Sequence, residues 1–139
     1  MNILVIDGMG GGLGKAVVEA LKENMPTLHV TAVGTNSLAT SAMLKAGADV
    51  AASGENAVIY NAGQAEYIIG AVGILEANAM HGEISPSMAS ALGESMAHKL
   101  LIPIGKCRVS VAGVTQKPLA VYIDEIVERL YLTNQEKSV

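Results

Sequence analysis

Nothing in the chain constrains its fold as tightly as the stretch Asp7-Gly8-Met9-Gly10-Gly11-Gly12-Leu13-Gly14-Lys15, which follows the apolar run Ile3-Leu4-Val5-Ile6. Five glycines within seven positions strip away nearly every Cβ at the point where one periodicity gives way to another. The run before them is continuous and β-branched, as in a strand covered on both faces. After them Leu13, Ala16, Val17, Ala20 and Leu21 recur at helical i, i+3, i+4 spacing, with Lys15, Glu19, Lys22 and Glu23 between. A bare strand-to-helix turn aims N–H groups and the positive end of a helix at an anion, commonly a phosphate. The expected partner is a phosphate-bearing small molecule.

The same alternation continues along the chain. The first helix stops before Pro26, whose ring removes a donor and disfavours a helical predecessor. Leu28 to Val33 reads as a second strand, and Gly34-Thr35-Asn36-Ser37 as a second turn of small polar residues. An Ala- and Leu-rich helix then runs to about Lys45, closed by Gly47. Ala48 to Ala52 reads as a short third strand, and Ser53 to Asn61 as a weaker helix. Tyr67-Ile68-Ile69 starts the next strand, and Gly70 and Gly73 mark a strand end followed by a loop close to a ligand. Ser85-Pro86 starts a helix that runs to about His98. Leu100 to Ile104 is expected as a strand, Arg108 to Val111 as an edge strand, and a last helix after Pro118 carries Leu119, Tyr122, Ile123, Ile126, Val127 and Leu130 as its apolar stripe. Strands alternating with helices at this pace imply βαβ units. The expectation is one three-layer α/β domain over residues 1–133, with a mostly parallel sheet and helices on both faces, followed by a flexible tail at 134–139.

Composition narrows the function. Of 139 residues half are apolar, but only four are aromatic, all Tyr, so Ala, Val, Ile, Leu and Met must build the core. Charged residues make up 16%, which leaves a sparsely charged surface and points to a homo-oligomer that buries part of it. A net charge of −4 and no basic run argue against nucleic acid or an anionic membrane surface as partner. Cys107 is the single cysteine, which rules out an intrachain disulfide. No apolar stretch is long enough to span a membrane, and the chain enters its first strand without a signal-peptide pattern, so the expected location is cytoplasmic.

The spacing of the glycines separates related chemistries. Counted from Gly8 and Gly10, the third glycine of the usual dinucleotide fingerprint falls on Leu13. Gly8, Gly12 and Gly14 instead give G-x-x-x-G-x-G, and Gly8 to Leu21 resembles the first turn and helix of short-chain dehydrogenases/reductases. That resemblance implies NAD(P) or another nucleotide as cofactor. Two departures stand against dehydrogenation. No tyrosine has a lysine four positions on, and the ribose-binding carboxylate expected about twenty residues past the glycines is replaced by Gly34, Thr35 and Asn36. Gly11-Gly12-Leu13-Gly14-Lys15 also resembles a deviant P-loop, with Ala16 where the Mg²⁺-binding hydroxyl belongs and Met9 where its leading glycine belongs. Over nearly the whole chain, Ile6-Asp7-Gly8 with the triple glycine, Gly34-Thr35-Asn36-Ser37, Ala42-Met43-Leu44-Lys45-Ala46-Gly47-Ala48, Gly54-Glu55-Asn56-Ala57 and Leu101-Ile102-Pro103 resemble a family of small bacterial proteins known only as a domain of unknown function. That resemblance implies a Rossmann-like domain and supplies no catalytic residues.

The candidate binding set is thus Asp7, Gly8, Gly10, Gly11, Gly12, Leu13, Gly14 and Lys15, with Thr35, Asn36, Ser37, Gly70 and Gly73. No metal site is expected, because His29, His81 and His98 are scattered without ligand spacing. His81-Gly82-Glu83 would supply an acid–base pair if its loop returned to the glycine turn. Lys106, Cys107 and Arg108 follow a strand end and offer an anion contact. The leading expectation is a nucleotide- or dinucleotide-binding protein without a recognisable catalytic set. Its rivals are an NAD(P)-dependent oxidoreductase completed by a partner or second subunit, a deviant P-loop ATPase, and a structural or interaction protein with an empty site.

Overall fold

The computed structural model describes residues 1–105 and 108–137. Five strands, β1 (Asn2–Asp7), β2 (His29–Gly34), β3 (Val50–Ser53), β4 (Tyr67–Ala71) and β5 (His98–Ile102), form one sheet in the order β3-β2-β1-β4-β5, and every pair is parallel. Helices α1 (Gly12–Asn24), α2 (Ser37–Lys45), α3 (Glu55–Ala62), α4 (Pro86–Glu94) and α5 (Leu119–Lys137) connect the strands and follow the last of them. A 3₁₀ turn, Val72–Leu75, follows β4 directly.

Alternation along β1 divides the core in two. Ile3 and Val5 pack with Val17, Val18 and Leu21 of α1 and with Tyr122, Ile123, Ile126 and Leu130 of α5. Leu4 and Ile6 pack with Val58 and Ala62 of α3 and with Met88, Ala89 and Leu92 of α4. A parallel strand buried on both faces must be apolar at every position, and Ile3 through Ile6 are at most 1% exposed. Each fully buried Leu or Ile contributes roughly 1.5–3 kcal/mol. The result is a three-layer, Rossmann-like α/β fold.

Local chemistry accounts for the element ends. The Asn36 side chain caps α2 by accepting the Ala39 N–H at 2.9 Å, and Gly47 beyond its end has φ +116°. Ser85 Oγ accepts the Met88 N–H at 3.2 Å to open α4. That helix ends at Glu94 rather than near His98. Ser95 leaves the helix and its hydroxyl is engaged elsewhere, donating to Ala62 O at 2.6 Å and accepting the Ala97 N–H at 3.1 Å. His98 and Lys99 are thereby freed to begin β5, which stops before Pro103, a residue without an N–H for the ladder.

One further expectation is corrected. Arg108–Val111 is not an edge strand. The segment is exposed on both sides, so nothing buries its valines against the sheet, and the β5 edge is left without a sixth strand among the described residues. Residues 134–137 are helical, extending α5, and Lys137 Nζ reaches Glu66 at 3.0 Å near the start of β4. Among the described residues no helix is long and apolar enough to cross a membrane.

Candidate functional site

The strand order reverses between β1 and β4. Helix α1 carries the chain from β1 to one side and α4 carries it from β4 to the other, so a crevice opens beyond the carboxyl ends of these two strands, where α/β sheets bind ligands. A cavity of about 680 Å³ lies there. One wall is the glycine turn from Asp7 to Leu13. Ala71 at the end of β4 faces it, with Glu76, Asn78, Ala79, Met80 and His81 from the loop that follows. Ile104, Gly105 and Arg108, beyond β5, complete the lining. Its size suits a small organic ligand.

The turn is built from the inside by Asp7. The last residue of β1 is 6% exposed, and its two carboxylate oxygens accept the N–H groups of Gly8 at 2.8 Å and Gly14 at 2.6 Å. Burial raises this carboxyl above the usual aspartate range; the two N–H donors pull the other way, and the nearby Glu83 carboxylate adds to the rise. Gly14 must be glycine, because a Cβ there would lie 2.7 Å from Asp7 Cβ and 2.6 Å from Met43 Sδ. Gly11 has φ +77° and lies so close to α2 that a Cβ would be 2.8 Å from Ala39 Cα. At Gly10 and Gly12 a Cβ would meet nothing within 4 Å. Their bareness is not a packing demand.

The main-chain donors divide the same way. The Gly11 N–H closes a turn on Gly8 O at 3.0 Å, the Met9 N–H goes to Glu83 at 3.0 Å, and the Lys15 N–H returns to Gly11 O at 2.9 Å. The N–H groups of Gly10, Gly12 and Leu13 have no hydrogen-bond partner among the described residues. All three residues line the cavity. Gly12 and Leu13 are the first residues of α1, where N–H groups are left over and the helix dipole favours negative charge.

The second turn faces elsewhere. Thr35 donates its hydroxyl to Glu83 Oε1 at 2.5 Å, and Asn36 Nδ2 donates to the same oxygen at 2.8 Å and to Met9 O at 2.9 Å. The loop carrying His81-Gly82-Glu83 does return to the glycine turn, but Glu83 arrives as a clasp on both turns. These donors, Thr35 foremost and then the Met9 N–H, hold its carboxyl below the usual glutamate range. His81 lines the cavity instead, and its φ of +55°, like the +58° of Met80 and +69° of Asn78, is left-handed for a non-glycine residue.

Asp7, Gly8, Gly10, Gly11, Gly12 and Leu13 thus share one cavity wall. Gly14 lies behind it against Asp7. Lys15 sits on the outer face of α1, 3.9 Å from Glu19 with both side chains half exposed. Thr35 and Asn36 belong to the clasp, and Ser37 opens α2. Gly70 lies within β4, where a Cβ would be 3.0 Å from Ile6 O of β1, and Gly73 is buried in the 3₁₀ turn. Lys106 and Cys107 lie outside the described residues; Arg108 lines the cavity, its N–H donating to Glu76 Oε2 at 3.2 Å. Beyond the glycine turn, the lining residues that spacing did not single out are Ala71, Glu76, Asn78, Ala79, Met80, Ile104 and Gly105. Their one signal is position, at or after the ends of β4 and β5.

No curated protein and no solved structure matches the chain. A family model described as a domain of unknown function (DUF3842) matches residues 2–135, nearly the full length, and the chain belongs to that family.

Proposed function

We propose that the chain binds a phosphate-bearing small molecule, a nucleotide, in the cavity between the ends of β1 and β4. The phosphate sits against the N–H groups of Gly10, Gly12 and Leu13. One observation carries this reading: three main-chain donors at a helix start, without a partner among the described residues, open into a ligand-sized cavity at the point where the strand order reverses. Arg108 adds a full positive charge to the lining, against the carboxylates of Asp7 and Glu76.

Binding without catalysis is the favoured form of this reading. Asp7 and Glu83, the carboxylates nearest the turn, are committed to backbone and side-chain donors that shape the site. The proposal extends to a cytoplasmic homo-oligomer, supported by the sparse charge and by exposed Leu38, Leu44 and Tyr60; light scattering at the mass of one chain would contradict that extension. Thermal shift against NAD, NADP, ATP, GTP, FAD and coenzyme A tests the binding. A nucleotide at a hundred times its Kd adds about 3 kcal/mol, or several degrees in Tm. Gly12→Val, placed where a side chain meets nothing, should abolish the shift with little change in the Tm of the free protein. A shift that survives this substitution would move the site elsewhere.

A further inference from the structure

In a sheet of this order a dinucleotide lies across the end of β1, one nucleoside over β2 and the other over β4. The two halves are unlike here. On the β4 side the cavity is open between the glycine turn, Ala71, Met80 and Ile104. On the β2 side the space is filled. Glu83 Oε1 takes the Met9 N–H, the Thr35 hydroxyl and the Asn36 amide together, and Asn36 also holds Met9 O. Over Gly8 there is no room even for a methyl group: a Cβ would lie 2.5 Å from Thr35 Oγ1, 2.8 Å from Met80 Sδ and 3.1 Å from Glu83 Oε1. None of Thr35, Asn36, Ser37 or Glu83 lines the cavity.

Resting on the phosphate-binding reading above, we infer that the site takes a phosphate monoester with one ring-sized organic body on the β4 side, and that the Glu83 clasp shuts out the second nucleoside of a dinucleotide. The decisive feature is the shape of the cavity, open on one side of the turn and sealed on the other, rather than the helix end at its wall. A dinucleotide enters only by separating Glu83 from its three donors. A mononucleotide enters without disturbing them. Glu83 is then a specificity-determining residue that acts by occupying space and never needs to touch the ligand.

Calorimetric titration of the full chain with matched sets distinguishes the outcomes: nicotinamide mononucleotide and AMP against NAD, and flavin mononucleotide and AMP against FAD. The expected result is that at least one monoester binds at least tenfold more tightly than the dinucleotide containing it. Glu83→Ala should narrow that gap at least threefold by strengthening the dinucleotide alone. A dinucleotide that binds the unaltered chain as tightly as either of its halves overturns the inference while leaving the phosphate reading intact. If no compound of either class binds at millimolar concentration, the phosphate reading itself fails and this inference with it. The unaltered protein alone decides both, so the test stands even if Glu83→Ala loosens the loop.

Discussion

Gly12 and Gly14 lie two residues apart in the first turn of α1 but answer to different constraints. A methyl group on Gly14 would be driven into Asp7 and Met43, so Gly14→Ala should cost about 1–3 kcal/mol, the usual range for overpacking. Gly12→Ala enters open space and should leave stability within about 1 kcal/mol, with any change towards a gain from helix propensity. Urea denaturation of the two variants measures the difference. Asp7 adds a pH signature. Its carboxyl is raised in the fold, so over the range above its ordinary value of 3.8 the folded chain holds a proton that the unfolded chain has lost. The stability this group contributes is therefore full below pH 3.8 and disappears as pH rises through the raised value. Asp7→Asn should remove that slope. It should also cost about 1–3 kcal/mol near neutrality, since an amide cannot accept from both Gly8 and Gly14. Denaturation curves taken from pH 4 to pH 8 on both proteins would show parallel profiles if Asp7 were not the titrating group. The requirement for glycine at 14 was legible as a spacing. The identity of its neighbours was not, because Met43 comes from a different helix.

At the scale of elements, the loop between β4 and α4 combines local strain with distant anchoring. Met80 and His81 are left-handed, which for such residues costs roughly 1–2 kcal/mol each, and Glu83 holds the loop in place through donors as far as 74 positions away in sequence. His81→Gly should therefore stabilise the protein by up to about 1 kcal/mol in chemical denaturation, although glycine in an unstrained position lowers stability. Because the Glu83 carboxyl is held below its ordinary value of 4.5, its contribution is present above that pH and is lost as pH falls through the depressed value. Hydrogen exchange at the Met9 amide, corrected for the intrinsic pH dependence, should accelerate over that acid step. In Glu83→Gln the step should be missing; an identical acid step in both proteins would assign it to another carboxylate. No periodicity announces such a clasp, since its signal is a single glutamate near three turn-forming residues. Strands and helices were legible because burial on two faces or one imposes a period on local sequence. Arg108–Val111 shows the limit of that logic: alternating valines signal a strand only where a neighbouring strand takes up their backbone groups.

For the molecule as a whole, the parallel sheet and its two buried faces follow from the βαβ rhythm, and the sheet order fixes where a cavity opens. The glycine turn could be read as one wall of that cavity from residue spacing. The other walls come from Ala71, the loop from Glu76 to His81, and Ile104, Gly105 and Arg108, which the pairing of β4 with β1 and with β5 brings opposite it. Thr35 and Asn36 looked like a continuation of the binding wall because they follow β2; in the fold their donors are spent on Glu83. Titrating the ¹⁵N-labelled protein with a nucleotide, and following its amide resonances, shows whether main-chain donors of the first turn hold a phosphate. The amides of Gly10, Gly12 and Leu13 should shift first and furthest, with one common saturation curve, while those of Gly8 and Gly14, already bonded to Asp7, move less. Saturable shifts confined to other amides, or no shift at millimolar nucleotide, would contradict phosphate binding at this turn.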